Sequence, residues 1–186
     1  MKAPKFAILD VETTSGDPTV GRVMEVAVLA FDAREERVRW ETLLDPRTSI
    51  PPFIKRLTGI SSEMIGTAPT FPMVVRTLET LTQDRIVVAH NVRYDMTTLE
   101  HEFARTGLVF DRQTLCTERV SKRFLPQLTH HNLTSLCRHF GIPMSGKHRA
   151  AADAEATAGL LFKLMDTFGM EQVLGCATNW SQALRA

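Results

Sequence analysis

Two acids spaced two residues apart, Asp10 and Glu12 in the segment ILDVETT, stand where an apolar run ends. Side chains alternate along a strand, so this spacing puts both carboxylates on one side of it. Neighbouring carboxylates repel and raise one another's pKa unless a cation lies between them, and hard divalent ions favour oxygen ligands of this kind. The chemistry suggested is metal binding. The alternative is a strand whose solvent face is acidic, against which the apolar approach Phe6, Ala7, Ile8 and Leu9 argues. Two further groupings carry titratable side chains: His90-Asn91-x-x-Tyr94-Asp95, and His148-x-x-x-x-Asp153. Taken singly, Asp95 reads as a helix-capping acid and Asp153 as a solvent-facing helix residue. The small side chains of Ala150, Ala151, Ala152, Ala154 and Ala156 around Asp153, however, let a helix approach a strand closely.

The elements that must position these residues follow from periodicity. Residues 5–10 and 23–31 are short apolar runs that read as buried strands, and residues 38–44 alternate with a period of two. A short helix over 51–57 is stopped by Thr58-Gly59, and Ser61-Ser62-Glu63 resembles the cap of another turn. Helices are expected over 72–81, 94–105, 118–124, 132–140 and 149–168, with strands over 85–90 and 114–117. Three strands followed by helices alternating with strands predict an α/β fold, a mixed β-sheet flanked by helices. Residues 169–186 carry little pattern and read as a packing tail or a connection to another module.

The chain has 186 residues, 44% hydrophobic and 23% charged, the proportions of one globular domain. Its longest apolar stretches fall far short of the roughly 20 residues of a membrane span, and no secretory signal precedes the first strand, so a cytoplasmic protein with no membrane partner is expected. Three widely spaced cysteines, Cys116, Cys137 and Cys176, exclude a paired redox motif or zinc ribbon. The net charge of +1 hides an uneven distribution. Arg119, Lys122, Arg123, Arg138, Lys147 and Arg149 lie in a stretch, residues 119–152, that contains no Asp or Glu. Such a stretch suits a polyanion such as nucleic acid, or is simply a solvated helix surface.

With all three groupings in order, the sequence resembles the DnaQ-like, or DEDDh, 3′ to 5′ exonucleases, a family that includes the proofreading epsilon subunit of bacterial DNA polymerase III. The resemblance rests on Asp10-Val-Glu12-Thr13-Thr14, His90-Asn91-Val-Arg-Tyr94-Asp95 and His148-Arg-Ala-Ala-Ala-Asp153. It is supported by Arg22-Val-Met-Glu25, by Leu57-Thr58-Gly59-Ile60 followed by Ala68-Pro69-Thr70-Phe71, and by residues 133–142. Two departures stand out: Tyr94 replaces the usual Phe, and Ser15 separates Thr14 from Gly16.

The resemblance implies a ribonuclease H-like sheet, an exonuclease domain over residues 1–168 and a tail over 169–186. It also implies that Asp10, Glu12 and Asp153 hold two divalent ions, Mg²⁺ or Mn²⁺, with Asp95 assisting the second through water. His148 would be the general base, a task suited to imidazole, and the product a nucleoside 5′-monophosphate. By the same resemblance Thr13 and Thr14 approach the terminal nucleotide, while Thr58, Gly59 and Ile60 wedge against its base. Ile60 reads equally well as a core residue after a turn. Asn91 and Tyr94 shape the pocket, Arg119, Lys122, Arg123, Lys147 and Arg149 form a phosphate-binding face, and Glu25 is hydrogen-bonded beside the site. The implied substrate is a single-stranded or frayed DNA 3′ end, in proofreading or repair, with a polymerase or a fused module as partner. Three alternatives stay open: an exoribonuclease trimming RNA ends, a binding module without catalysis, and a haloacid dehalogenase-like phosphatase, whose strand-borne Asp-x-Asp-x-Thr the first motif also resembles.

Overall fold

The computed structural model describes residues 3–144 and 148–183. Its strands are β1 (Lys5–Thr13), β2 (Val23–Asp32), β3 (Glu35–Leu43), β4 (Ile86–Ala89), β5 (Gln113–Cys116) and β6 (Thr178–Asn179). The helices are α1 (Pro52–Thr58), α2 (Ser62–Ile65), α3 (Phe71–Thr82), α4 (Val92–Arg105), α5 (Thr117–Phe124), α6 (Leu133–Phe140), α7 (Ala150–Phe168), α8 (Met170–Leu174) and α9 (Trp180–Ala183). The strands form one mixed sheet in the order β3-β2-β1-β4-β5-β6. β1 is central, antiparallel to β2 and parallel to β4, as its apolar sequence requires.

Side-chain alternation on β1 divides the molecule into two cores. Ala7, Leu9 and Val11 face α3 and α4, where Phe71, Val75, Leu78, Met96, Leu99 and Phe103 pack. Phe6 and Ile8 face the other way, against Ala154, Ala158, Leu161 and Leu164 of α7 together with residues of α5, α6 and α8. Asp10 and Glu12 continue this second set, so the run that fills the core toward α7 ends in two acids.

Local signals in the sequence account for the element ends. Gly59 adopts φ 72° after α1 and donates its N–H to Lys55 O, a left-handed stop that a glycine takes without strain. Asn132 accepts from Ser135 N and caps α6. β1 runs past its apolar residues to Thr13 and β2 to Asp32, because cross-strand pairing continues to Thr13 opposite Val23 at one end and to Lys5 opposite Asp32 at the other. Residues 169–183 pack against the domain. β6 joins the sheet edge beside β5, Val173 is fully buried, and Trp180 enters the α3–α4 core. Among the described residues no helix is long and apolar enough to cross a membrane.

Candidate active site

Three elements deliver the acidic side chains. Asp10 and Glu12 lie at the end of β1, where a shift of register between Glu12 and Thr13 breaks the ladder with β2. Asp95 lies in the first turn of α4, on the opposite face of the sheet, and reaches back so that its Oδ1 accepts the Val11 N–H at 3.2 Å. Asp153 lies in the first turn of α7 and accepts the backbone N–H of His148 at 3.1 Å. Ligand atoms of Glu12, His148 and Asp153 all fall within 4.8 Å of one another, a spacing that can hold a metal ion.

The electrostatics of this cluster are those of acids crowded into a poorly solvated place. Burial first, then Asp95, Glu12, Asp153 and Glu25, hold the Asp10 carboxyl well above the usual carboxylate range. Glu12 is pushed up to about 8, chiefly by burial and then by Asp153 and Glu25, with Arg149 acting in the opposite sense. Burial also raises Asp95, against the backbone N–H groups that favour its ionised form. The group therefore takes up either protons or a cation, and a set of carboxylate oxygens suits a hard divalent ion.

The remaining predicted residues are distributed unevenly. Thr13 and Tyr94 join through their hydroxyls, and each also contacts Ser15 O at 2.6 Å. Thr14 is buried, its Oγ1 accepting Arg22 N at 3.0 Å. Asn91 is exposed and holds φ 64° at the start of α4. Two expectations are corrected. Ile60 is 0% exposed, packed among Met24, Ile50, Ile54 and Ile65, so its side chain offers no surface to a base. Thr58 is also buried, its hydroxyl donating to Ile54 O and accepting from Ile60 N, which leaves only Gly59 of this trio at the surface.

The basic face is in part engaged within the chain. Arg149 is committed to Glu25, and Lys122 to Glu118. Arg123 stacks over Phe124 and donates toward Cys176 Sγ. The stretch itself contains no acid, but Glu118 stands just before it on the helix of Lys122, and the fold brings Glu25 to it from β2. Lys147 lies outside the described residues. Arg119, by contrast, lines a crevice of about 550 Å³ together with Asn91, Arg93 and Trp180.

Sequence reasoning anticipated Glu25 as hydrogen-bonded near the site but did not identify its partner. A lone acid in an otherwise apolar strand signals that a partner exists; only the fold shows that it is Arg149, 124 residues away. Likewise, the two departures from the family pattern, Tyr94 and Ser15, turn out to be bonded to each other. Of the other histidines, His90 bonds Thr117 and burial lowers it to about 4, while His131 bonds Ser121, so both serve packing.

A family model described as Exonuclease (RNase_T) matches residues 7–161. The chain belongs to this exonuclease family. The resemblance carried by the three motifs is thereby borne out, and the phosphatase alternative is set aside. The exonuclease chain is 33% identical over 161 residues to a DNA polymerase III PolC-type of Oceanobacillus iheyensis, covering 86% of this chain but 11% of that protein. It thus spans about a tenth of the length of that relative. It is 29% identical over 171 residues to the DNA polymerase III subunit epsilon of Aquifex aeolicus, covering 91% of this chain and 85% of that one. Among solved structures, an exonuclease X in complex with 5′ overhanging duplex DNA matches with a TM-score of 0.74 and 23% identity, covering 90% of this chain and 96% of the other. That likeness bears on the fold, which is the ribonuclease H-like mixed sheet expected.

Proposed function

We propose that this 3′ to 5′ exonuclease removes nucleoside 5′-monophosphates one at a time from DNA 3′ ends, single-stranded or frayed, with Mg²⁺ or Mn²⁺ as a pair of ions. The observation that carries the reading is the convergence of Glu12, His148 and Asp153 within 4.8 Å, beside the buried Asp10 and Asp95. Asp10, Glu12 and Asp153 would hold the ions, and Asp95 would orient the second through water. Held by these carboxylates, divalent ions would supply Lewis-acid chemistry, making hydroxide accessible near neutral pH and offsetting negative charge at the phosphodiester.

The chain's own work is placement and proton transfer. His148, exposed at the mouth of the cluster, accepts the proton of the attacking water at an imidazole nitrogen. Tyr94, bonded to Thr13 and Ser15, fixes the loop beside the terminal nucleotide. Gly59 and Asn91 border the nucleotide at the surface. DNA is favoured over RNA because the relatives at 33% and 29% identity are named as DNA polymerase III components. A polymerase, or a module fused to the 1–168 domain, is the partner this reading suggests, acting in the cytoplasm.

The test offers end-labelled single-stranded DNA, duplex DNA and RNA with Mg²⁺ or Mn²⁺. Stepwise release of 5′-mononucleotides from DNA 3′ ends, abolished by chelator and by Asp10→Ala, Glu12→Ala or Asp153→Ala, is the expected result. Full activity in chelator would overturn it, and faster cleavage of RNA would redirect it to exoribonuclease chemistry.

A further inference from the structure

Glu25 faces Glu12 directly across the β1–β2 ladder, so both carboxylates stand on the side of the sheet that receives α7. Two acids in that relation repel, and Glu25 is 3% exposed. Among the described residues, its hydrogen-bond partners lie at the start of α7. Arg149 Nε donates to Glu25 Oε1 and Oε2 at 3.0 and 3.1 Å, its Nη2 donates to Oε1 at 2.6 Å, and the Ala150 N–H donates to Oε2 at 2.9 Å. The fork-shaped guanidinium and the planar carboxylate define a single orientation, which a lysine ammonium would not. Since Arg149 makes no capping bond with its own side chain, Glu25 supplies from β2 an acceptor for the first N–H of the helix.

The residue held next to this pair is His148. Its backbone lies at φ 56°, a conformation that a side-chain-bearing residue adopts at a cost and keeps only where its surroundings impose it. The imposition comes from two sides: the His148 N–H is bonded to Asp153 Oδ2, and the two residues that follow are both bound to Glu25.

We infer that Glu25 and Arg149 are positioning residues that lock the turn at 148–150, and thereby aim His148 at the Glu12–Asp153 cluster, with Arg149 serving this lock rather than binding a substrate phosphate. The inference rests on the reading of His148 as the proton acceptor. A misplacement of about 1 Å at a reacting group can cost about 10²-fold in rate, so losing the lock falls on turnover.

The experiment compares Arg149→Ala, Arg149→Lys, Glu25→Gln and His148→Ala singly, and Arg149→Ala combined with His148→Ala. Arg149→Ala is expected to lower kcat by about 10- to 10²-fold with KM for an oligonucleotide within about twofold and the salt dependence of its binding unchanged. Arg149→Lys, which keeps the charge and loses the fork, should resemble Arg149→Ala. In the His148→Ala background, Arg149→Ala should cost less than about threefold, because the group it aims is gone. A readout independent of turnover is amide exchange by NMR in the metal-free protein, where the His148 and Ala150 N–H groups should exchange faster in Arg149→Ala and in Glu25→Gln. Arg149 is half exposed, so its variants should fold even if Glu25→Gln does not.

A raised KM and a shallower salt dependence with unchanged kcat would overturn the inference and make Arg149 a phosphate ligand. Unchanged exchange at His148 and Ala150 would overturn it as well. Should wild-type protein release no nucleotide, or His148→Ala turn over normally, the exonuclease or proton-acceptor reading would fall, and the exchange data would still decide whether the lock exists.

Discussion

The Tyr94 hydroxyl donates to the Ser15 carbonyl at 2.6 Å, which ties the first turn of α4 to the loop that leaves β1. The Thr13 hydroxyl touches both partners. Two hydroxyl protons serve three contacts, so the carbonyl is the shared acceptor and the trio acts as one unit. A phenylalanine at position 94 could not make this bond, and a loop without Ser15 would not offer the same carbonyl. The two departures from the family motif are therefore complementary.

Tyr94→Phe is accordingly expected to destabilise the protein by about 0.5–1.5 kcal/mol, the net value of an ordinary hydrogen bond. Turnover should change little, because the aromatic ring and the Asp95 position persist. Denaturant melts together with kcat on a short oligonucleotide check this, and a loss of turnover larger than tenfold with unchanged stability would contradict it.

The crowded acids make stability depend on pH in a direction opposite to that of salt-bridged carboxylates. Glu12 titrates at about 8 in the folded chain against an ordinary value of 4.5, and Asp10 and Asp95 are raised too. The folded state thus binds protons that the unfolded chain has released. Their contribution is fully present below the ordinary carboxyl pKa and is lost as pH rises through about 8. Melts in chelator should show Tm falling from pH 5 to 8.5. Added Mg²⁺ or Mn²⁺ should restore it, increasingly so at higher pH, because the cation needs ionised ligands. A Tm in chelator that rises over that interval would count against the cluster.

The basic residues divide by location. Arg119 lines the crevice with Asn91 and Arg93 at the start of α4, the helix that also carries Tyr94 and Asp95, whereas Arg123 rests on Phe124 and Cys176. Arg119→Ala should make the salt dependence of single-strand binding shallower by about 0.7 per lost phosphate contact. Arg123→Ala should leave it unchanged. Binding titrations from low to moderate salt distinguish the two, and the reverse pattern would refute this division.

Trp180 inserts into the α3–α4 core at 3% exposure and donates its indole N–H to Glu100 at 3.1 Å. Trp180→Ala should cost about 3–5 kcal/mol, the range for large aromatic deletions from a core. A chain ended after Phe168 should be destabilised further, since it also loses Val173 and the pairing of β6 with β5. Chemical denaturation of both variants is the measurement, and a truncated chain as stable as the whole would show that 1–168 is sufficient.

The sequence carried the sheet, the long helices and the acidic cluster because each has a local signature. Apolar runs marked β1 and β2, alternation marked β3, and spaced identities marked Asp10, Glu12, Asp95, His148 and Asp153. What it lacked was anything set by distant partners. The tail has no periodicity because α8, β6 and α9 are too short to show one, and the burial of Val173 and Trp180 goes with an edge already built by β5. Ile60 was ambiguous because a residue after a left-handed glycine can point either way, and only the cluster of Met24, Ile54 and Ile65 decides it. The acid-free stretch hides two ion pairs, because Glu118 stands one residue before it on the helix of Lys122 and Glu25 reaches Arg149 from β2.

Asp95 bonds a backbone amide 84 residues before it, and Arg149 a carboxylate 124 residues before it. No short piece of this chain can hold the cluster together. A ribosome-bound chain that has emerged only through α6 carries Asp10, Glu12 and Asp95 but neither Asp153 nor the arginine that clamps Glu25. The acidic cluster is therefore completed only once α7 has been made, and no fragment that stops short of Ala150 carries it whole.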